Sequence, residues 1–432
     1  MTDPRHRVVI VGGGFGGLAA AKALAGADVD ILLIDRRNHH LFQPLLYQVA
    51  TATLSPSEIA WPIRHLLRRQ KNVRVVMATV VGVDTSARQV LLEDGSRAPY
   101  DSLVLATGAQ HAYFGNDQWE DFAPGLKTIE DATAIRRKLL LALEAAERET
   151  DPARRRALLT FAIIGAGPTG VEMAGAIFEL GRASIRGQFN TLSPDDLRVV
   201  LIEGGDRVLL NFDPELSDYT LQALRKAGIE VELGQMVSEI DADGVSFGEK
   251  RIDTKTIIWA AGVAASPVAA WLGIEGDKAG RVAVGPDLSV PGMADIFVIG
   301  DVASITRDNG KPVPGVAPAA KQAGEHVAAV IRRRASGDAT PLTFRYRHAG
   351  DLATIGRSSA VIDFGRIKLK GWLAWWIWGF AHIYFLVETR TRIFITLSWL
   401  WIYLTGQRSA RLITHGMAPE KKPLREVDEA ER

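Results

Sequence analysis

The chain has 432 residues, is 47% hydrophobic, carries a formal net charge of +1 and contains no cysteine. Its length accommodates two or three domains with cores of their own. The balanced charge gives no case for nucleic acid, and the lack of thiols excludes disulfides, thiolate metal sites and dithiol redox chemistry. No metal site is expected. Asp3 and a strand reached by Val8 leave no room for a leader segment, so the body of the chain is expected to stay in the compartment of synthesis, read as bacterial cytoplasm.

In chain order, residues 8–11 are four apolar residues that read as a buried parallel strand. Gly12, Gly14 and Gly17 then spell G-x-G-x-x-G, and residues 18–24 have an alanine-rich helical pattern. The glycines suit a tight turn, close approach of backbone to a pyrophosphate, and close packing of helix on strand. The helix N-terminus adds unpaired N–H groups and partial positive charge. A second strand, 29–34, ends on Asp35, 18 residues past Gly17, where a carboxylate for a ribose hydroxyl is expected. A glycine turn alone could be structural; this context points to a dinucleotide. Residues 36–50 read as a surface connection with a hydrophobic anchor, leading into a helix. Residues 73–83 read as one strand, 89–96 as a hairpin with its turn, and 103–109 as a buried strand running into a glycine turn. Residues 131–148 form an amphipathic helix with Leu139, Leu140 and Leu143 on one face. The charged stretch 148–156, holding Pro152, marks a domain boundary.

The first motif then recurs. Residues 161–164 are a strand, Gly165, Gly167 and Gly170 repeat the fingerprint, and the strand at 197–202 ends on Glu203. The distance from Gly170 to Glu203 is 33 residues, and a loop insertion over 181–194 is expected to account for the excess. Two such units imply two dinucleotides held at once, and therefore electron transfer between them. Residues 256–263 and 296–302 repeat the strand-to-glycine pattern. Asp301, after Gly300, reads either as a turn residue or as a ligand. Residues 312–318 form a stiff loop, and 319–334 a helix whose basic end suits the helix dipole.

The tail differs in composition. Six of the ten tryptophans fall between Trp372 and Trp401, and two uncharged runs, 371–387 and 393–407, hold 17 and 15 residues. As helices these span about 25 and 22 Å, short of the roughly 30 Å hydrocarbon core. Tryptophan favours the headgroup level, and Arg366, Lys368, Lys370, Arg390, Arg392, Arg408 and Arg411 flank the runs. Residues 366–411 are therefore read as amphipathic helices lying on one leaflet. A spanning hairpin and a homodimer interface are the alternatives.

Together these segments resemble the type II NADH dehydrogenases, single-subunit, non-pumping NADH:quinone oxidoreductases. The resemblance covers nearly the whole chain. It rests on residues 12–17, 38–50 (Asn-His-His-Leu-Phe-Gln-Pro-Leu-Leu-Tyr-Gln-Val-Ala), 106–108, 165–172, Gly300 with Asp301, and the tail from Phe344. It implies an α/β fold of two Rossmann-like dinucleotide-binding domains, the second inserted into the first, followed by an amphipathic helical membrane-anchoring region. The FAD domain would comprise 1–155 and 276–345, the NADH domain 156–275, and the membrane-associating region 346–432. Tightly bound FAD would lie on Gly12, Gly14 and Gly17, with Asp35 at its ribose, Val80 at its adenine, Thr107, Gly108 and Gly300 along it, and Asp301 at the ribityl chain. Exchangeable NADH would lie on Gly165, Gly167 and Gly170, with Glu203 at its ribose and Gly262 near the nicotinamide. Glu172 would reach the nicotinamide–flavin stack; its alternative reading is an acid in a first helical turn. Gln322 matches one of two quinone-side glutamines of the family. Pro318 stands where the other is expected, and proline offers no side-chain hydrogen bond to a quinone carbonyl. Lys321 reads as a charge near the flavin or a solvated lysine.

The implied reaction passes hydride from NADH to FAD N5 and then two electrons to a membrane quinone, without proton pumping. The implied location is peripheral, on the cytoplasmic face of a bacterial inner membrane. Glu203 would repel a 2′-phosphate and favour NADH over NADPH, with Arg207 softening the preference. Sulfide:quinone oxidoreductases and disulfide reductases need cysteines that this chain lacks. A soluble NAD(P)H:ferredoxin-like reductase is opposed by the apolar tail. A membrane-bound NADH-sensing flavoprotein of slow turnover has the same fingerprints.

Overall fold

The computed structural model describes residues 5–307, 310–338, 340–386, 388–406, 408 and 410–413. The part of the membrane-associating region assigned beyond 413 lies outside the described residues. Strands β1 (His6–Val11) and β2 (Val29–Asp35) are joined by helix α1 (Phe15–Ala23). Val8 to Val11 are all buried, as expected of a parallel strand covered on both faces. Next come α2 (Leu46–Ala50), β3 (Val73–Met77) and β4 (Ser102–Leu105). The single strand expected over 73–83 is two: after β3, residues Val80–Asp84 leave the sheet and pair with Gln89–Leu92 in a small antiparallel sheet. Helix α3 (Ile129–Arg148) starts at a reciprocal cap, in which Asp131 N–H donates to Thr128 Oγ1 and Asp131 Oδ2 accepts from Thr128 N–H.

The second unit comprises β5 (Thr160–Ile164), α4 (Pro168–Ile185), β6 (Arg198–Ile202), β7 (Glu230–Glu232) and β8 (Thr256–Trp259). The loop insertion expected at 181–194 is present but shorter: α4 runs for 18 residues where α1 has 9 and takes in 181–185, leaving 186–193 as the loop. Gly181, read as the start of a loop, sits inside the helix. A Cβ there would stand 2.7 Å from a methyl of Leu197, so this glycine serves close packing rather than a turn.

The chain then returns to the first sheet through β9 (Ser289–Val290) and β10 (Met293–Val298), followed by helix α5 (Ala317–Ala335). The first sheet has the order β9-β10-β4-β1-β2-β3 and the second β7-β6-β5-β8. All pairings are parallel except β9 with β10. In both sheets the chain runs to one side of the first strand and comes back on the other, between β1 and β4 and between β5 and β8. Such switch points open a crevice at the carboxyl ends of the strands. Helix α5 starts two residues earlier than expected, with Pro318 in its first turn, where a missing N–H leaves no bond unmade. It packs tightly on α1: a Cβ at Gly324 would lie 2.2 Å from Gly16 O.

An antiparallel sheet of β11 (Asp351–Thr354), β12 (Ala360–Asp363) and β13 (Lys368–Gly371) carries helices α6 (Trp372–Phe385) and α7 (Thr389–Thr405). Ala374, Trp378, Leu386 and Ile395 are buried in a core shared with α2 and α4. Trp372, Phe380, Tyr384 and Leu404 are each about two-thirds exposed or more, at 68%, 67%, 71% and 71%. At 14 and 17 residues the helices are about 21 and 26 Å long. No helix among the described residues is long and apolar enough to cross a membrane.

Most of the cations expected to flank these runs at headgroup level have partners within the protein. Lys368 pairs with Asp213 and Lys370 with Glu215. Arg392 donates to the carbonyls of Tyr384 and Leu386. Arg408 reaches Glu179, and Arg411 reaches Ser184 and Gln188. Arg366 and Arg390 remain exposed.

Candidate functional site

One cavity of about 2200 Å³ opens at the carboxyl ends of β1 and β4 and extends to the start of α4 and to α6. It exceeds the roughly 300–1,000 Å³ of a single small-molecule pocket, so it has room for more than one ligand. Gly12, Gly14 and Asp35 line it, as do Val80, Thr107 and Gly108, Gly300 and Asp301, and, from the second unit, Glu172. Gly17 lies beneath the loop. Gly165, Gly167, Gly170, Glu203 and Gly262 stand outside this lining, while their neighbours Pro168 and Thr169 belong to it.

The two glycine loops have the same construction. Gly12 has φ +103° and Gly165 φ +97°. A Cβ at Gly12 would meet Ala106 O at 2.4 Å, and one at Gly165 would meet Ala261 Cα at 2.5 Å, each just past the strand across the switch point. Side chains at Gly17 and Gly170 would each fall 1.8 Å from the carbonyl oxygen of the first glycine of their own loop. Gly14 and Gly167 have no atom within 4 Å of such a Cβ, so the middle glycine of each loop faces open space. Asp35 accepts from Gly13 N–H at 2.5 Å and Glu203 from Ala166 N–H at 2.5 Å. Each acid thus closes its loop from the residue after the first glycine. Neither α1 nor α4 has a side-chain cap at its N-terminus or an acid in its first turn. Their orphan N–H groups therefore suit an anion, and the donor set fits the pyrophosphate of a dinucleotide at both loops.

Arg207, expected near the ribose end of Glu203, instead donates to Leu210 O at 2.8 Å. With no ion pair between Arg207 and Glu203 among the described residues, Glu203→Ala should lower the preference for NADH over NADPH about tenfold, the scale of one charge-assisted contact. Equal kcat/KM ratios for the two nucleotides in variant and wild type would refute the assignment.

Pro168 begins α4, so Glu172 stands one turn in, and the first-turn reading of this acid does not hold. Its carboxyl accepts, at long range, from Thr354 N–H at 3.5 Å, and burial pushes it up to about 8. It is therefore mostly protonated at neutral pH. Because the folded value lies above the unfolded one of about 4.3, ionising Glu172 costs stability progressively as pH rises from there to about 8. Glu172→Gln should raise the unfolding temperature at pH 8 and leave it unchanged at pH 4; the reverse order would disprove the burial argument.

Gln322 does not line the cavity. Its amide donates to Arg347 O at 2.9 Å and accepts from Arg347 N–H at 2.9 Å, holding the chain that leads to β11. Pro318 and Lys321 do line it. Lys321 is largely exposed and 3.9 Å from Glu325, the geometry of a solvated lysine.

The segment read as a surface connection, 36–50, is largely interior. His40 is 2% exposed, and its Nδ1, 3.0 Å from Gly13 O, must carry the proton. Burial lowers it to about 4, so a neutral imidazole braces the first loop. His382 on α6 also lines the cavity; its Nδ1 donates to Trp378 O at 2.8 Å, and burial lowers it to about 4. Neither histidine stood out in the sequence. The near-continuous apolar run 45–50 was the available signal that 36–50 is buried.

A family model described as pyridine nucleotide-disulphide oxidoreductase matches residues 6–324, and one described as the NDH2 C-terminal domain matches 348–408. The type II NADH:quinone oxidoreductase Ndh of Mycobacterium tuberculosis is 43% identical over 98% of this chain and 94% of its own length. NdhA of the same organism is 45% identical over 96% and 90%. A structure of NDH2 from Plasmodium falciparum in complex with NADH superimposes with a TM-score of 0.86 at 20% identity, covering 95% of this chain and all of that one. The duplicated glycine loops, the shared cavity and the apolar C-terminal helices sit in a chain that belongs to the type II NADH:quinone oxidoreductases of the pyridine nucleotide-disulphide oxidoreductase family.

Proposed function

We propose that FAD is held tightly by the first loop with Asp35, Val80, Thr107, Gly108, Gly300 and Asp301, and that NADH exchanges on the second loop with Glu203 and Gly262. Residues 1–155 and 276–345 form the FAD domain, into which the NADH domain, 156–275, is inserted; 346–432 associate with the membrane. The protein is a flavin-dependent NADH:quinone oxidoreductase. The chemistry that bound FAD supplies is acceptance of hydride from nicotinamide and delivery of two electrons to a quinone. The observation that carries this reading is one continuous lining that joins Gly12 and Gly108 to Glu172 on one side and to His382, Tyr384 and Phe385 of α6 on the other. A quinone arriving from lipid beside α6 enters the same space as the glycine loop.

The chain's own residues bind, orient and seal. Asp35 and Glu203 fix the loops. Phe15, Phe42 and Leu386 supply apolar walls that keep out water, and Glu172 brings a half-buried, largely protonated carboxyl to the junction of the two units. From α5, Pro318 offers no donor to a quinone and Gln322 acts as a positioning residue through Arg347. The exposed faces of α6 and α7 place the protein peripherally on a lipid surface, assigned to the cytoplasmic face of a bacterial inner membrane.

Anaerobic NADH should bleach the flavin of the purified protein, and a short-chain quinone should restore its colour. A steady NADH–quinone rate below about 1 s⁻¹ would mark an NADH sensor, and reoxidation by ferredoxin alone would mark a soluble-type reductase. Replacing the exposed Leu400 and Leu404 by glutamate should abolish sedimentation with lipid vesicles while flavin content stays unchanged. Undiminished sedimentation would overturn the membrane assignment.

A further inference from the structure

A buried chain of side chains connects α7 to Glu172, and none of its members has a role in the reaction described above. Trp399 Nε1 donates to Gln48 Oε1 at 2.8 Å, and Gln48 Nε2 donates to the Tyr47 hydroxyl at 3.1 Å. The hydroxyls of Tyr47 and Thr354 are 3.1 Å apart, and Thr354 N–H faces Glu172 Oε1 at 3.5 Å. The direction of the chain is fixed at its outer end. An indole nitrogen only donates, so the Gln48 oxygen must accept and its amino group must point to Tyr47. The Tyr47 oxygen accepts there, which leaves its own hydrogen for Thr354. The hydrogens of Trp399, Gln48 and Tyr47 are thus directed from α7 toward the Thr354 hydroxyl, and aligned bonds of this kind polarise one another; the backbone N–H that faces Glu172 belongs to the residue they hold. Tyr47 and Gln48 are each only 7% exposed, so water cannot substitute for a missing link. The α7 end, by contrast, is on the helix whose outer face carries Leu397, Leu400 and Leu404, each more than half exposed.

The electrostatic surroundings leave this chain as the adjustable influence on Glu172, which has no ion-pair partner among the described residues. From α2 it meets Tyr47. From its own helix Glu179 acts on Tyr47 and is offset by Arg408 and Arg357. From β11, Asp351 lines the same cavity and is 3.8 Å from His348.

We propose that Trp399, Gln48 and Tyr47 are positioning residues for Glu172: they hold Thr354 against its carboxyl and link the seating of α7 on lipid to the nicotinamide side of the site. The link to chemistry rests on the reading of Glu172 given above; the positioning itself does not.

The test follows Glu172 directly in the oxidised, flavin-loaded enzyme without NADH. Infrared spectroscopy reads the carbonyl stretch of its protonated carboxyl, assigned by its loss in Glu172→Gln. Tyr47→Phe deletes one hydroxyl, and Trp399→Phe deletes one N–H on a partly exposed helix, so at least the second variant keeps the fold. Loss of the bonds that hold Thr354 in place weakens the support its N–H gives the carboxylate. The titration midpoint should therefore rise about one unit, a tenfold shift, in Tyr47→Phe, and less, in the same direction, in Trp399→Phe. Adding phosphatidylglycerol vesicles should move the midpoint of the wild type and not that of Trp399→Phe. Unchanged midpoints in both variants overturn the proposal, and a vesicle effect equal in wild type and Trp399→Phe overturns the lipid link. If the midpoints shift as expected while Glu172→Gln leaves the NADH–flavin charge-transfer band unaltered, the positioning stands and the nicotinamide role of Glu172 falls.

Discussion

Gly17→Ala is expected to yield a folded protein with less than about a tenth of the normal flavin, whereas Gly170→Ala should keep its flavin and lose affinity for NADH. A Cβ on either glycine would lie 1.8 Å from a carbonyl oxygen of its own loop. That oxygen belongs to the backbone, so it cannot swing aside as the end of a side chain would, and the loop must open. An opened loop no longer aims its N–H groups at one point, and the anion site is lost with it. Gly14→Ala separates damage to the loop from damage to the ligand site. Nothing in the protein lies within 4 Å of a Cβ there, so this variant should melt like the wild type and still bind flavin poorly. The readouts are flavin absorbance per mole of protein, the KM for NADH and a thermal melt. Flavin lost from Gly170→Ala and kept in Gly17→Ala would reverse the assignment of the loops.

Those loops were legible in the sequence because their signals are local: a strand, three glycines and an acid within one βαβ unit, stated twice. What the sequence hid depends on partners far away along the chain. Gly181 resembles a helix breaker until Leu197 is found against it. Lys368 and Lys370 resemble headgroup ligands, yet their partners Asp213 and Glu215 lie 155 residues earlier. Gln322 matches a quinone-side motif by position, but the backbone of Arg347 takes both ends of its amide. Tyr47 and Gln48 sit in a stretch that reads as a connection, and only the return of β11 and α7, more than 300 residues later, makes them the middle of a buried chain. The site's glycines are thus set by local geometry, and its polar second layer by tertiary contact.

Arg408→Met is the substitution expected to cost the fold most. The Arg408 side chain is 9% exposed and 3.2 Å from Glu179. It also donates to Thr51 O at 3.0 Å and Ala176 O at 3.5 Å, so one guanidinium ties the chain beyond α7 to α2 and to α4. Burial raises the Glu179 carboxyl, and Arg408, with Arg357 behind it, pulls it back down. Without Arg408 a carboxylate that is 27% exposed is left with one weaker counter-charge, and breaking such a half-buried pair costs somewhat less than the roughly 3–5 kcal/mol of a fully buried one. The penalty should depend on pH with a definite sign. Burial already holds Glu179 above its ordinary value in the wild type, and losing Arg408 raises it further, so the penalty relative to the wild type grows as pH climbs past the wild-type value and fades below it. Adding Glu179→Gln removes the stranded charge and should recover most of the loss, even though no cation returns. Denaturant unfolding at pH 4 and pH 8 for both variants decides the matter. A penalty independent of pH, or one that the second substitution deepens, would mean that Arg408 acts through its two carbonyl contacts and not through Glu179.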